Sequence, residues 1–260
     1  MVKTTPAAVR DRFLAWLGGL ADLLLPKVCS TCGSGQVSAE GLCADCNVRL
    51  LSLVALPYCP RCGASVGPNV PAREDGCSTC PDPLPRFARV VRLGPYADPL
   101  RSAIRQIKYH RQEAMRYRLG RLLGQAVAAQ DDDGRLDLVM PVPMHWRRRL
   151  ARGYDHARLL ASAVGKELHL PVGDELARVR HTPPQANLPR TRRIENVRGA
   201  FSLASRAAIR GAAVMLVDDV TTTGATANEA ARTLLDGGAS RVDLAVIAKA
   251  DPPRAYTVGP

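Results

Sequence analysis

Val214-Met215-Leu216-Val217-Asp218-Asp219-Val220-Thr221-Thr222-Thr223-Gly224-Ala225-Thr226 carries three signals in succession. The opening run is apolar without alternation, so Ala213 to Val217 reads as a strand buried on both faces, as in a parallel sheet. Two adjacent carboxylates follow at its C-terminal end, the edge at which open α/β sheets bind ligands. A Thr/Gly loop then leads into a helix, bringing hydroxyls, backbone N–H groups and a helix N-terminus that together cradle a phosphate. The few residues between acids and loop suit a ribose 5-phosphate. Asp218 and Asp219 would accept hydrogen bonds from the ribose hydroxyls, while Thr221, Thr222, Thr223, Gly224, Ala225 and Thr226 hold the 5-phosphate. An ordinary capped helix after a strand is the plainer alternative, and the combination of apolar run, acid pair and Thr/Gly loop argues against it.

The flanking sequence repeats the same alternation. Ala225 to Asp236 reads as a helix and Val242 to Ala248 as a last strand. Upstream, Arg89 to Leu93 and Asp137 to Val142 read as strands, the latter ending in Pro141-Val142-Pro143. Leu176 to Arg180 and Phe201 to Leu203 are shorter strand candidates. Pro99 to Tyr109, with Leu100, Ile104 and Ile107 on one face, Gln112 to Ala129 and Tyr154 to His169 read as helices. Apolar strands alternating with helices predict an α/β domain with a parallel sheet covered on both faces.

All 8 cysteines precede residue 81, in four C-x-x-C pairs: Cys29/Cys32, Cys43/Cys46, Cys59/Cys62 and Cys77/Cys80. Two such knuckles complete a tetrahedral four-cysteine zinc site, so the expectation is two structural Zn²⁺ ions. The simplest partition is sequential, the first four cysteines on one ion and the last four on the other; an interleaved partition stays open. A disulfide framework is the competing reading, and the lack of a convincing secretory segment weighs against it. Gly33 and Gly63 follow the second cysteine of their knuckles, where they relieve backbone crowding. A segment this poor in apolar residues folds mainly through its metals, worth about 10 to 16 kcal/mol per site in small zinc peptides.

The chain has 260 residues, 46% of them hydrophobic but only 4% aromatic, which excludes wholesale disorder and predicts a core of Ala, Val and Leu. No uninterrupted apolar run reaches the roughly 18 residues of a membrane-spanning helix. Ala7 to Leu25 reads as an amphipathic helix stopped by Pro26, suited to packing or weak association with a membrane surface. Residues 89–260 carry 28 basic and 17 acidic groups, against 8 and 7 in residues 1–88. A positive surface of this kind favours polyanions, nucleic acid or polyphosphorylated small molecules alike.

Taken in order, Leu25-Pro26, the four knuckles, Ile107-Lys108-Tyr109, Pro141-Val142-Pro143, Arg152-Gly153-Tyr154, Arg180, Thr182-Pro183, Gln185, Leu188, Arg193, Asn196, Gly199-Ala200-Phe201 and the Asp218-Asp219 loop resemble the ComF family of competence-associated proteins. The resemblance covers most of the chain. It implies a type I phosphoribosyltransferase-like parallel sheet that binds phosphoribosyl pyrophosphate with Mg²⁺, preceded by a small double zinc-ribbon module. The expected divisions are an N-terminal helix over 1–26, the zinc module over 27–85 and the phosphoribosyltransferase-like domain over 86–260. It also implies a role in natural transformation, with single-stranded DNA and DNA-uptake machinery as partners, in the cytoplasm or peripherally at the inner membrane face.

Pyrophosphate needs cations, and the segment from Val142 to Gly153 offers Arg147, Arg148, Arg149 and Arg152. We assign Arg152 to the catalytic set with Asp218 and Asp219, and Gly153 and Lys108 to ligand binding. Gln185 and Arg193 are contacts from a polar segment, His181 to Arg198, that reads either as a lid or as a solvated connection. The family commonly has Asn-Gln after the Arg-Gly-aromatic triplet, where this chain has Asp155 and His156; a carboxylate there would repel pyrophosphate unless Mg²⁺ or an Arg intervenes. Three functions fit: a phosphoribosyltransferase acting on an unnamed acceptor, a non-catalytic phosphoribosyl-ligand sensor and single-stranded DNA-binding adaptor, or a structural adaptor with a vestigial pocket.

Overall fold

The computed structural model of the chain describes residues 28–29, 31–35, 37–38, 41–67, 75–109, 113–131, 135–182 and 190–251, without the side chains of Tyr109, Arg148, Ala151, Arg152, Arg190 and Thr191. The expected N-terminal helix and Gln185 lie outside the described residues. Four strands, β1 (Val90–Pro95), β2 (Leu138–Pro141), β5 (Ala213–Thr221) and β6 (Arg241–Lys249), form one sheet in the order β1-β6-β5-β2. Every neighbouring pair is parallel, with Val90 opposite Leu244, Val214 opposite Val242 and Leu138 opposite Val214. All four strands therefore end at the same edge. A short antiparallel pair, β3 (Leu176–Arg178) with β4 (Phe201–Leu203), stands apart from the sheet.

The two-residue period of the strands sorts their apolar side chains into two cores. Val91, Leu93, Val139, Met215, Val217, Ala245 and Ile247 point to one face, covered by α2 (Leu100–Tyr109), α3 (Glu113–Ala128) and α5 (His156–Leu168). Val90, Leu138, Met140, Val214, Leu216, Leu244 and Val246 point to the other, which α7 (Ala225–Asp236) covers. Burial on both faces is why these strands read as unbroken apolar runs. The parallel α/β sheet preceded by a cysteine module is the architecture expected from the sequence.

Helices α3 and α5 lie close because two glycines permit it. A Cβ on Gly120 would come within 2.4 Å of Ala163 Cβ, and one on Gly124 within 2.6 Å of Glu167 Cβ. The first cysteine module is continuous with this side of the protein. Cys29, Leu42, Cys43, Cys46 and Leu50, the last on α1 (Ala44–Val54), join the same core.

Three departures from the sequence reading have local causes. Strand β5 continues past Val217 to Thr221 because β6 keeps pairing with it, Asp218 opposite Val246 and Thr221 opposite Lys249. The basic segment after Pro143 is largely helical: α4 (Trp146–Arg152) is started by the His145 ring, which accepts from the Arg147 N–H, and ended by Gly153 at φ 76°. The segment taken as lid or connection holds α6 (Arg190–Val197). Neither of these helices shows an apolar stripe wide enough to announce itself.

Candidate functional site

In each cysteine cluster the four sulfurs lie within 4.8 Å of one another, Cys29, Cys32, Cys43 and Cys46 in one and Cys59, Cys62, Cys77 and Cys80 in the other. The sequential partition is thus the one adopted. Sulfur separations of 3.6 Å for Cys32–Cys43 and 3.7 Å for Cys59–Cys80 and Cys62–Cys77 exclude disulfides. They match the edge of about 3.8 Å that a tetrahedron with Zn–S bonds of about 2.3 Å requires. The knuckles share one turn. Gly33 (φ 77°) and Gly63 (φ 73°) donate to the carbonyls of Cys29 and Cys59 at 2.9 and 2.8 Å.

The second site lies at the C-terminal edge of the sheet. Asp218 and Asp219 open from β5 into a cavity of roughly 310 Å³ that Lys108, His156, Arg178, Arg193, Thr222 and Thr226 also line. Lys108 Nζ is 3.0 Å and His156 Nε2 2.7 Å from the same Asp219 oxygen, Oδ2. Burial opposes charge on Asp219, but the Lys108 ammonium and the His156 contact outweigh it and hold the carboxyl well below its usual range. Burial also works against the Lys108 charge, and Asp219 more than offsets it, raising that amine. Asp218, with Asp219 donating its N–H to Oδ1 at 2.8 Å, is pushed up to about 7 by burial and then by the neighbouring carboxylate. Two adjacent acids thereby differ in character: one is a committed anion, the other a carboxyl that titrates near neutrality.

Lys108 is itself placed by a distant motif. Tyr154 Oη donates to the Ile107 carbonyl at 2.9 Å, and the Arg116 guanidinium lies 5.4 Å from the Tyr154 ring centroid. The motifs at 107–109 and 152–154 therefore meet. Asp155 does not confront the ligand cavity as an extra charge. It caps α5, its Oδ1 accepting from the N–H groups of Ala157 and Arg158 at 3.1 Å each. That cap aims the first helical residue, His156, at Asp219.

Beyond Asp219 the chain turns through Thr222, Thr223 and Gly224, the last left-handed at φ 78°, into α7. The Thr223 hydroxyl accepts from the Ala225 N–H at 3.3 Å. A small recess of roughly 30 Å³ is bounded by Asp218, Thr221, Thr222, Gly224 and Thr226. Asp218, Asp219, Lys108, Arg193, Thr222 and Thr226 are thus gathered around one space, with Thr221 and Gly224 in the adjoining recess. Thr223 and Ala225 form the turn and the helix start. Gly153 ends α4, its N–H donating to the Arg149 carbonyl at 2.8 Å, and the side chain of Arg152 lies outside the described residues. Sequence reasoning left out His156 and Arg178. The first was visible as a departure from the family pattern, whereas the second sits in a short strand with nothing to mark it.

The description "Double zinc ribbon domain" matches residues 20–82. Competence protein F of Haemophilus influenzae is 32% identical over 223 residues, 84% of this chain and 94% of that protein. The chain belongs to this family. DNA utilization protein YhgH of Escherichia coli K12 is 31% identical over 229 residues, 85% of this chain and 96% of that protein. Among solved structures, the glutamine phosphoribosylpyrophosphate amidotransferase from B. subtilis complexed with ADP and GMP gives a TM-score of 0.36 at 23% identity, over 56% of this chain and 28% of that one. In this member of the competence protein F family, positions 155 and 156 serve as helix cap and acid partner. Among the described residues, no helix is long and apolar enough to cross a membrane.

Proposed function

We propose that this protein binds phosphoribosyl pyrophosphate with Mg²⁺ at the C-terminal edge of its sheet, through a phosphoribosyltransferase-like site, in the service of DNA uptake. The observation that carries this reading is the acid pair held unequally beside a Thr/Gly loop. Asp219, paired with the Lys108 ammonium and in contact with His156, is a fixed anion able to orient a ribose hydroxyl. Asp218 is the carboxyl left to accept a second hydroxyl. Residues 221–226 supply hydroxyls and backbone N–H groups for the 5-phosphate.

Such a donor set fits Mg²⁺ arriving with a substrate. One oxygen of Asp219 is already committed, and a Mg²⁺ ion bound through one or two carboxylates completes its shell with water and phosphate oxygens. Bound beside Asp218, the ion would neutralise charge on the pyrophosphate. Arg178 and Arg193 face the same cavity and would hold anionic oxygens there, with Arg152 as a third cation of that set. Asp155 does not line the cavity, and its carboxylate sits at the N-terminus of α5, whose amides offset its charge, so it is not set against a pyrophosphate there. The names of the relatives, one for competence and one for DNA utilization, support the uptake context. With the excess of basic groups after residue 88, they favour single-stranded DNA and the uptake machinery as partners and a cytoplasmic place of action.

Thermal unfolding with and without phosphoribosyl pyrophosphate and Mg²⁺ tests the reading. Ligand at about 100 times its dissociation constant stabilises the native state by roughly 2.7 kcal/mol. A shift of that order is expected in the parent and none in the Asp218→Asn/Asp219→Asn double variant. The absence of any shift in zinc-loaded parent protein would refute it.

A further inference from the structure

The loop from Thr222 to Gly224 is held from behind by two residues outside it. Lys249, at the end of β6, donates its Nζ to the Thr222 carbonyl and, at 3.5 Å, to that of Ala250. Phe87 is buried against the turn, its Cζ 3.6 Å from where a Cβ on Gly224 would stand. Both supports are in turn fixed by the Cys59–Cys62 knuckle. Arg61, between the two thiols, donates Nη1 to the Phe87 carbonyl at 3.0 Å and Nη2 to that of Pro85 at 3.4 Å. Gly63 lies so close to the sheet that a Cβ would stand 2.9 Å from Val90 Cγ1 and 3.8 Å from Lys249 Cδ. The Val90 N–H donates to the Pro60 carbonyl at 2.6 Å.

A buried polar cluster locks the far side of the same knuckle. Ser65 donates to Asp251 through its N–H at 3.2 Å and its Oγ at 2.7 Å, and Arg92 Nη2 reaches Ser65 Oγ at 2.7 Å. The knuckle and the loop face each other across a cavity of roughly 690 Å³, with Cys62 and Cys80 on one wall and Thr222, Thr223 and Lys249 on the other. The first cysteine cluster packs elsewhere, into the core beneath α2 and α3.

We infer that the second zinc site is part of the phosphate-binding apparatus. Arg61 and Gly63 are positioning residues that act through Phe87 and Lys249 to hold the Thr222 carbonyl and the Gly224 turn in the geometry a sugar 5-phosphate requires. The inference rests on the reading of residues 221–226 as the 5-phosphate cradle. It assigns different work to two chemically identical metal centres. The first completes a hydrophobic core, and the second sets affinity for the phosphate end of the ligand.

Calorimetric titration of the full zinc-loaded chain with ribose 5-phosphate, and separately with inorganic pyrophosphate, tests this. Arg61→Ala and Lys249→Met each remove one hydrogen-bonding support while leaving all eight cysteines in place; each is expected to weaken ribose 5-phosphate about five- to tenfold. Pyrophosphate affinity and a zinc content of two per chain stay unchanged in both. Lys249→Arg, which restores a donor, recovers most of the loss, and Asn47→Ala, which takes from α1 of the first module the amide oxygen that accepts from Arg118 of α3, leaves both affinities unaltered. Unchanged ribose 5-phosphate binding in Arg61→Ala and Lys249→Met overturns the inference, as does an equal loss for pyrophosphate or an equal loss in Asn47→Ala. Failure of the parent to bind ribose 5-phosphate at all overturns the cradle reading beneath it, and is told apart by needing no variant.

Discussion

Asp218 and Asp219 are neighbours in the chain and opposites in electrostatics. The Asp219 carboxyl is depressed, so its contribution to stability is present above the ordinary carboxylate range and is lost as pH falls through it. The Asp218 carboxyl is raised to about 7. The unfolded chain therefore releases that proton before the folded one does, and stability falls as pH rises from about 4 to 7 before levelling. Asp218→Asn removes this penalty. At pH 8 the ligand-free variant is expected to exceed the parent by on the order of 2 kcal/mol in urea unfolding, with the gap closing towards pH 4. Its ligand affinity should be weak and flat with pH, whereas the parent's declines as pH drops through 7. A variant less stable than the parent at pH 8 would show that the Asp218 charge is structurally required. The acid pair was legible in the sequence. Its inequality was not, because Lys108 and His156 reach Asp219 from α2 and α5, far away along the chain.

Among elements, α5 concentrates the most design in one helix. Its first residue partners Asp219, its N-cap is Asp155, and its C-terminal half receives α3 across Gly120 and Gly124. Removing the cap with Asp155→Ala is expected to cost about 1 kcal/mol and to loosen His156, so ligand affinity falls with stability. Gly120→Ala forces a methyl onto Ala163 and is expected to cost about 1 to 3 kcal/mol, read as a lower urea midpoint at unchanged slope. A neutral Gly120→Ala would mean that α3 and α5 can separate without loss. Strands β1, β2, β5 and β6 and helices α2, α3, α5 and α7 were readable because burial on both faces leaves an unbroken apolar run in a strand and a covered face leaves an apolar stripe on a helix. Helices α1, α4 and α6 were not: α1 starts inside a cysteine knuckle and reads as part of it, an Arg-rich surface segment carries no such record, and the capping of α4 by His145 and Gly153 is visible only in three dimensions.

At the scale of the whole molecule, the four knuckles were read correctly as metal sites, and their sequential pairing follows from sulfur positions that spacing alone left open. Native mass spectrometry is expected to give two zinc ions per chain, with one lost in either Cys32→Ser or Cys62→Ser. A single ion in the parent, or disulfide-linked pairs on peptide mapping, would contradict the assignment. The sheet order has a further consequence. Among the described residues, strand β1 pairs with β6 alone, and Ser65 of the second zinc module binds Asp251, 186 residues further along. During synthesis the ribosome therefore emits β1 and the second knuckle, which meet through Val90 and Pro60, long before β6 and Asp251 appear. Until residues 241–251 emerge, both are exposed to chaperones and proteases. Completion of the last strand is then required, beside metal capture, before the nascent chain can reach its native state.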